Sequence, residues 1–194
     1  MRTALGKSVT RTLSFREPRP VQPNLRQLIA RGWRTGVIAE VEMTMDIPEY
    51  SKMKRPGAPR DEAVTHADRD YHANRSRGLG GNPTTGAEEN LLGYPGTRYC
   101  GEHIFVHEFA HAIMGGGIRN VEPNMYEEIR AAYAKAMAAG KYVHADGRKH
   151  YATTNAGEYW AEGVQWWFSR TTASASLATS KWRPRRSSPP TIRC

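Results

Sequence analysis

The stretch Glu102–Met114, EHIFVHEFAHAIM, sets two histidines, His107 and His111, four residues apart in an otherwise apolar run, with Glu108 beside the first. Such a run predicts a buried helix, and on a helix positions i and i+4 stand one above the other on the same face. Both imidazoles can then point at one spot. Glu108, about 100° round the helix from His107, can reach a water held there. That is the mechanical content of the H-E-x-x-H pattern, in which two histidines bind a zinc ion and the glutamate acts as base. The plain alternative is a pair of hydrogen-bonded core histidines on an amphipathic helix.

A third ligand decides between them, because a catalytic zinc takes three protein ligands and keeps one position open. No third histidine follows in HAIMGGGIRN (His111–Asn120). The stretch YATTNAGEYWAEGVQ (Tyr151–Gln165) offers Glu158 and Glu162, four apart and so on one face of a further helix. Trp160, Val164 and Trp167 can bury other parts of that helix. Acids on so aromatic a helix are ordinarily solvated, but a metal and its histidines would give both of them partners.

The rest of the chain sets the frame. Its 194 residues read as one domain, residues 21–170, between a basic flank at 1–20 and a Ser/Pro/Arg-rich tail at 171–194, both expected to lack fixed structure. The net charge of +9 sits in those flanks: residues 1–19 hold five Lys/Arg against one acid, residues 171–194 five against none, and residues 20–170 eighteen of each sign. A nucleic-acid-binding domain carries its basic excess on its folded surface. The folded domain is therefore not expected to bind nucleic acid, and polyanion binding is left to the tails. No run of about 18 apolar residues predicts a membrane-spanning helix. The opening MRTALGKSVTRTLSF lacks the apolar stretch of a secretory signal. Two cysteines, Cys100 and Cys194, cannot build a disulfide framework and are expected as free thiols.

Local patterns predict the elements. Val21–Trp33 reads as a short helix capped by Asn24, with Leu25, Leu28 and Ile29 on one face. Gly36–Met45 alternates in part and reads as a strand. Residues 46–98, rich in Pro, Gly, Asp and Arg, read as long loops with short elements. The histidine helix is expected to stop at Gly115–Gly117. A second helix opens at Glu122–Pro123 and ends at Gly140. A third, Asn155–Arg170, has Asn155 as its cap.

With these residues in hand, the chain resembles the zinc peptidase domain of the anthrax lethal factor family. In that family an H-E-F-x-H helix is followed, after an insertion containing a helix, by a tyrosine, and seven residues later by a glutamate within E-aromatic-aromatic-A-E. Here Tyr151 precedes Glu158 by seven, the glutamate stands in EYWAE, and Thr154 and Asn155 lie between them. The match covers Tyr99–Phe168, and GLGGNPTTGAEENLLGYPGTRY (Gly78–Tyr99) is also similar to the lead-in of shorter, single-domain relatives. The resemblance implies an α+β, thermolysin-like zincin domain of the gluzincin type, mainly helical around the active site with a small sheet. It implies one catalytic Zn2+ held by His107, His111 and Glu158, with Glu108 as general base and Tyr151 as hydrogen-bond donor to the oxyanion. Glu162 would accept the outer N–H of a ligand histidine. The expected activity is that of a zinc-dependent metalloendopeptidase acting on a peptide or protein substrate.

Other residues carry weaker readings. His103, four before His107, is expected at a half-exposed first turn rather than on the metal. His66, His72, His144 and His150 are expected at the surface, His150 lining the cleft beside Tyr151. In the family, folded sequence continues past the aromatic helix, whereas here a basic tail follows. Trp166, Trp167 and Phe168 are accordingly expected to be partly exposed. The competing functions are a non-catalytic zinc-binding or interaction module on the same fold, and a polyanion binder driven by the tail. Intact Glu108 and Tyr151 favour the enzyme, since a binder needs neither.

Overall fold

Proline at a first helical position, buried aliphatics and a handful of caps account for the elements of this computed structural model, which describes residues 22–94, 97, 99, 101–144 and 146–175. The flank at 1–20, the tail from 176, Cys100 and Cys194 lie outside the described residues. The order is α1 (Pro23–Ala30), β1 (Thr35–Ile38), α2 (His66–Arg75), β2 (Gly78–Leu79), β3 (Thr84–Ala87), α3 (Glu88–Leu91), α4 (Ile104–Ala112), α5 (Arg119–Val121), α6 (Pro123–Ala138) and α7 (Ala156–Ala175). The domain is α+β, with a small sheet in the order β1-β3-β2. β1 runs parallel to β3, Thr35 opposite Thr84, and β2 runs antiparallel to it.

The sheet lies on one side of α4 and α7 lies against it from another. Trp160 ties the two helices together, its indole N–H donating to the Ala110 carbonyl at 3.0 Å. Met114, Ile118 and Ile129 form a buried cluster, against which Ile113, Met125, Tyr126 and Trp160 pack. Arg77, buried beside β2, donates to both carboxylate oxygens of Glu89 at 2.7 and 2.8 Å and to the carbonyls of Ala39 and Glu42. This bidentate clamp locks the edge strand to α3 and to the turn after β1. Among the described residues no helix is long and apolar enough to cross a membrane.

Several expectations are corrected. The strand expected over Gly36–Met45 is confined to Thr35–Ile38, because Glu42 turns the chain back: its carboxylate accepts from Ala39 N–H, and its own N–H donates to the Ala39 carbonyl. Asn24 does not cap α1. Pro23 takes the first helical position, where its missing N–H leaves nothing unsatisfied, so the cap is Gln22. Leu28 is buried, but Ile29 faces solvent. The stretch 46–98 holds more order than its composition promised. α2 starts from a capping box in which Thr65 and Asp68 satisfy each other's backbone N–H groups. β3 is buried at all four positions, so it has no alternation to read.

The three glycines do not stop the histidine helix. It passes through Ile113–Ile118 in wider π-helical turns and continues as α5. A methyl on Gly116 would stand 2.6 Å from Leu28 Cδ2 and 2.9 Å from Trp33, and one on Gly117 would stand 2.9 Å from the Asn24 carbonyl oxygen. The glycines there let α1 lie directly on the helix. α6 opens at Pro123, and Gly140 follows its end with φ +62°, as expected. Asn155 caps α7, its Oδ1 accepting from Glu158 N–H at 2.9 Å. That helix runs to Ala175, past the change of composition at Thr171.

Candidate metal centre

α4 and α7 present their polar residues to each other. His107 and His111 stand one turn apart on α4, and Glu158 projects from the first turn of α7. Glu158 Oε2 lies 3.0 Å from His107 Nε2 and 3.2 Å from His111 Nε2, and the two imidazole nitrogens are 3.2 Å apart. Three donor atoms thus form a nearly equilateral triangle. A tetrahedral zinc with bonds of about 2.0–2.1 Å needs its ligand atoms about 3.3 Å apart. Both the spacing and the His2Glu chemistry fit such an ion, although other divalent metals accept the same donors. Among the described residues this is the one group of three or more His, Cys, Asp and Glu side chains arranged to hold a metal.

The surroundings hold the triangle in place. Glu162, buried one turn along α7, brings Oε1 to 3.2 Å from His107 Nδ1. The approach is off-line, so Nδ1 lacks a well-directed hydrogen bond, and the contact is best described as a close ion pair. Burial alone would push the His107 pKa down, but the hydrogen bond to Glu158, the close carboxylate of Glu162 and the charge of Glu108 outweigh it and raise the value to about 10. Burial likewise works to raise Glu158, and its hydrogen bonds to the two histidines reverse the effect and bring it down to about 2. A metal ion binding here would have to displace the proton held between His107 and Glu158.

Glu108 points from α4 towards the loop after β2. Burial raises its carboxyl pKa, only partly offset by the nearby histidines and by the Gly80 backbone. A methyl on Gly80 would stand 2.6 Å from His111 Cβ and 3.0 Å from the Glu108 carbonyl oxygen, so only glycine lets the loop lie this close. Tyr50 supports the same loop, its hydroxyl donating to the Pro83 carbonyl. Tyr151 is half exposed, with its ring centroid 6.2 Å from that of His107. Burial and the charges of Glu158 and Glu108 push its phenol up to about 12, so it stays a proton donor at neutral pH. His107, Glu108, His111, Tyr151, Glu158 and Glu162 all line one cavity of about 780 Å3.

The structure therefore brings together all six residues singled out from the sequence: His107, Glu108, His111, Tyr151, Glu158 and Glu162. His103 is not beside the triangle; it is the N-cap of α4, its Nδ1 accepting from Val106 N–H at 3.4 Å. His150 lines the cavity and caps the short helical turn at Tyr151–Thr153. His72, expected at the surface, is buried in α2, because that helix packs against the turn at Thr44–Asp46. Trp166, Trp167 and Phe168 are exposed by 40%, 73% and 52%, as expected at the end of the helix, and Trp167 accordingly does not bury a face of it as its position also suggested. The roles of Gly80, Tyr50 and Arg77 were not read from the sequence. The glycine run at 78–81 was the one visible signal, and its partners are far away in the chain. Comparison of the chain with protein-family models, with curated proteins and with solved structures gave no match.

Proposed function

We propose that this chain is a zinc-dependent metalloendopeptidase built on a thermolysin-like domain of the lethal factor type. The observation that carries the reading is the donor triangle of His107, His111 and Glu158, sized for a tetrahedral zinc, with a buried carboxylate beside it. His107, His111 and Glu158 would hold the ion. When bound, zinc supplies Lewis acidity, polarising a carbonyl and lowering the pKa of a water to about 7.

The chain's own residues supply the remaining functions. Glu108 accepts the proton of the attacking water and later delivers it to the leaving amine. Burial raises its pKa, which makes the carboxylate a stronger base. Tyr151, protonated at pH 7, donates to the oxygen on which charge develops as the peptide carbonyl is attacked. Glu162, 3.2 Å from His107 Nδ1, favours a proton on that nitrogen, which leaves Nε2 to act as a ligand.

The test joins metal analysis to peptide cleavage by the full chain. The parent should hold about one zinc per chain, and His111→Ala should lose it. Glu108→Gln should keep zinc and lose most turnover. Full zinc in His111→Ala would sink the ligand set. Zinc without cleavage of any peptide would leave the non-catalytic metal-binding module as the reading.

A further inference from the structure

The cavity is larger than the donor triangle requires, and its wall also includes Tyr71, Arg75, Arg77, Tyr99 and Glu102. Sorting its charges leaves few uncommitted. Glu108, Glu158 and Glu162 belong to the histidine site. Arg77 is consumed by Glu89 and two backbone carbonyls. Glu102 has Glu162 and His107 as its electrostatic neighbours.

Arg75 is different. It is the last residue of α2, it is exposed, and it has no acidic partner among the described residues. It is also held in place. Its guanidinium stands over the ring of Tyr71, 5.1 Å from the centroid, one helical turn back. Its backbone is pinned by Tyr99, whose hydroxyl donates to the Arg75 carbonyl at 3.1 Å. Stacking on an aromatic face restrains an arginine without using its N–H donors. The result is a pre-oriented, planar set of donors, unspent, on the wall of the cavity that contains the candidate metal centre. A carboxylate matches that fork in shape and charge.

We propose that Arg75, stacked on Tyr71, is a specificity residue that receives a carboxylate of the peptide bound in this cavity. The proposal rests on the peptidase reading and adds the substrate class: peptides carrying an acidic side chain near the cleaved bond, or a free C-terminus at that position. The two sources share one chemistry and are separated by the experiment below.

The probes are alanine-based fluorogenic octapeptides with amidated C-termini, carrying a single Glu, Gln or Lys at each position in turn. They are assayed with the zinc-loaded full chain. At one position Glu should exceed Gln in kcat/KM by about three- to tenfold, the range for a partly exposed, charge-assisted pair. Arg75→Ala should bring that ratio close to one, and Arg75→Glu should invert it in favour of Lys. Arg75→Lys should keep only part of it, since the ammonium lacks the planar fork. A second series with free C-terminal carboxylates separates the sources: an Arg75-dependent advantage confined to that series assigns the C-terminus. Glu:Gln:Lys ratios and free-acid advantages unchanged in Arg75→Ala and Arg75→Glu would overturn the proposal. Should no peptide be cleaved, the peptidase reading fails on its own, and Arg75 is still tested by binding. Tryptophan-fluorescence titration of zinc-loaded Glu108→Gln and Glu108→Gln/Arg75→Glu should then show weaker binding of the Glu peptide, or of the free-acid peptide, to the second protein. Equal binding of both would overturn the proposal.

Discussion

Replacing Gly80 by alanine is the sharpest test of how the site is assembled. The added methyl would stand 2.6 Å from His111 Cβ, 3.0 Å from the Glu108 carbonyl oxygen and 3.2 Å from its Oε2. Carbon atoms settle at about 3.5–4.0 Å, so loop and helix must part by about 1 Å. His111 Cβ cannot swing away, because α4 is gripped by both the sheet and α7. Overpacking of this kind costs about 1–3 kcal/mol. The same displacement moves the Gly80 backbone away from the Glu108 carboxylate, whose pKa it helps to lower. Gly80→Ala should therefore lower the unfolding free energy by about 1–3 kcal/mol. Urea denaturation at pH 7 measures this. Gly163→Ala on α7 is the companion variant: nothing lies within 4 Å of a methyl there, and a helical Gly-to-Ala change gains about 0.5–1 kcal/mol. Zinc should remain in Gly80→Ala, because all three donors come from α4 and α7, while turnover falls with the misdirected base. A Gly80→Ala protein as stable as its parent would refute the close packing of loop on helix and the role given to Gly80.

Two further outcomes are expected. Tyr151→Phe should leave zinc and stability nearly unchanged, since the ring is 58% exposed, and should lower kcat by about 100- to 1000-fold with little change in KM; a fall below about threefold on a verified peptide would remove Tyr151 from the mechanism. Asp68, buried at the start of α2, accepts from the Thr65 N–H and hydroxyl and from Arg55 N–H, which together hold its carboxyl far below the usual range. A folded pKa below the unfolded one means that its contribution is complete above about pH 4 and is lost as the pH falls through the folded value. The difference in urea midpoint between the parent and Asp68→Asn should therefore be widest near neutrality and shrink in acid, and a constant gap from pH 6 to pH 2 would contradict this.

Some of this protein was legible in its sequence because it depends on local spacing. Helical periodicity is set by backbone geometry, so His107, Glu108 and His111 had to share a turn once their segment was helical. Glu158 and Glu162 had to share a face for the same reason. Proline at the start of α6, Gly140 beyond its end and Asn155 at the cap of α7 act within one turn of themselves, and they were readable as such. What the sequence could not decide was which of those faces meet, since that is settled by residues far apart in the chain. Glycines 115–117 carry the local signature of a helix stop, yet α1 packs onto them and the helix continues. β3 has no alternation because both of its faces are covered by other elements. Gly80 closes on His111, Arg77 on Glu89, and Tyr99 on the Arg75 carbonyl only after the chain has folded back on itself. By helical spacing alone Glu158 and Glu162 are equivalent, and the resemblance named Glu158 as the ligand; the way α7 lies against α4 sets Glu158 beside Nε2 of His107 and Glu162 beside its Nδ1.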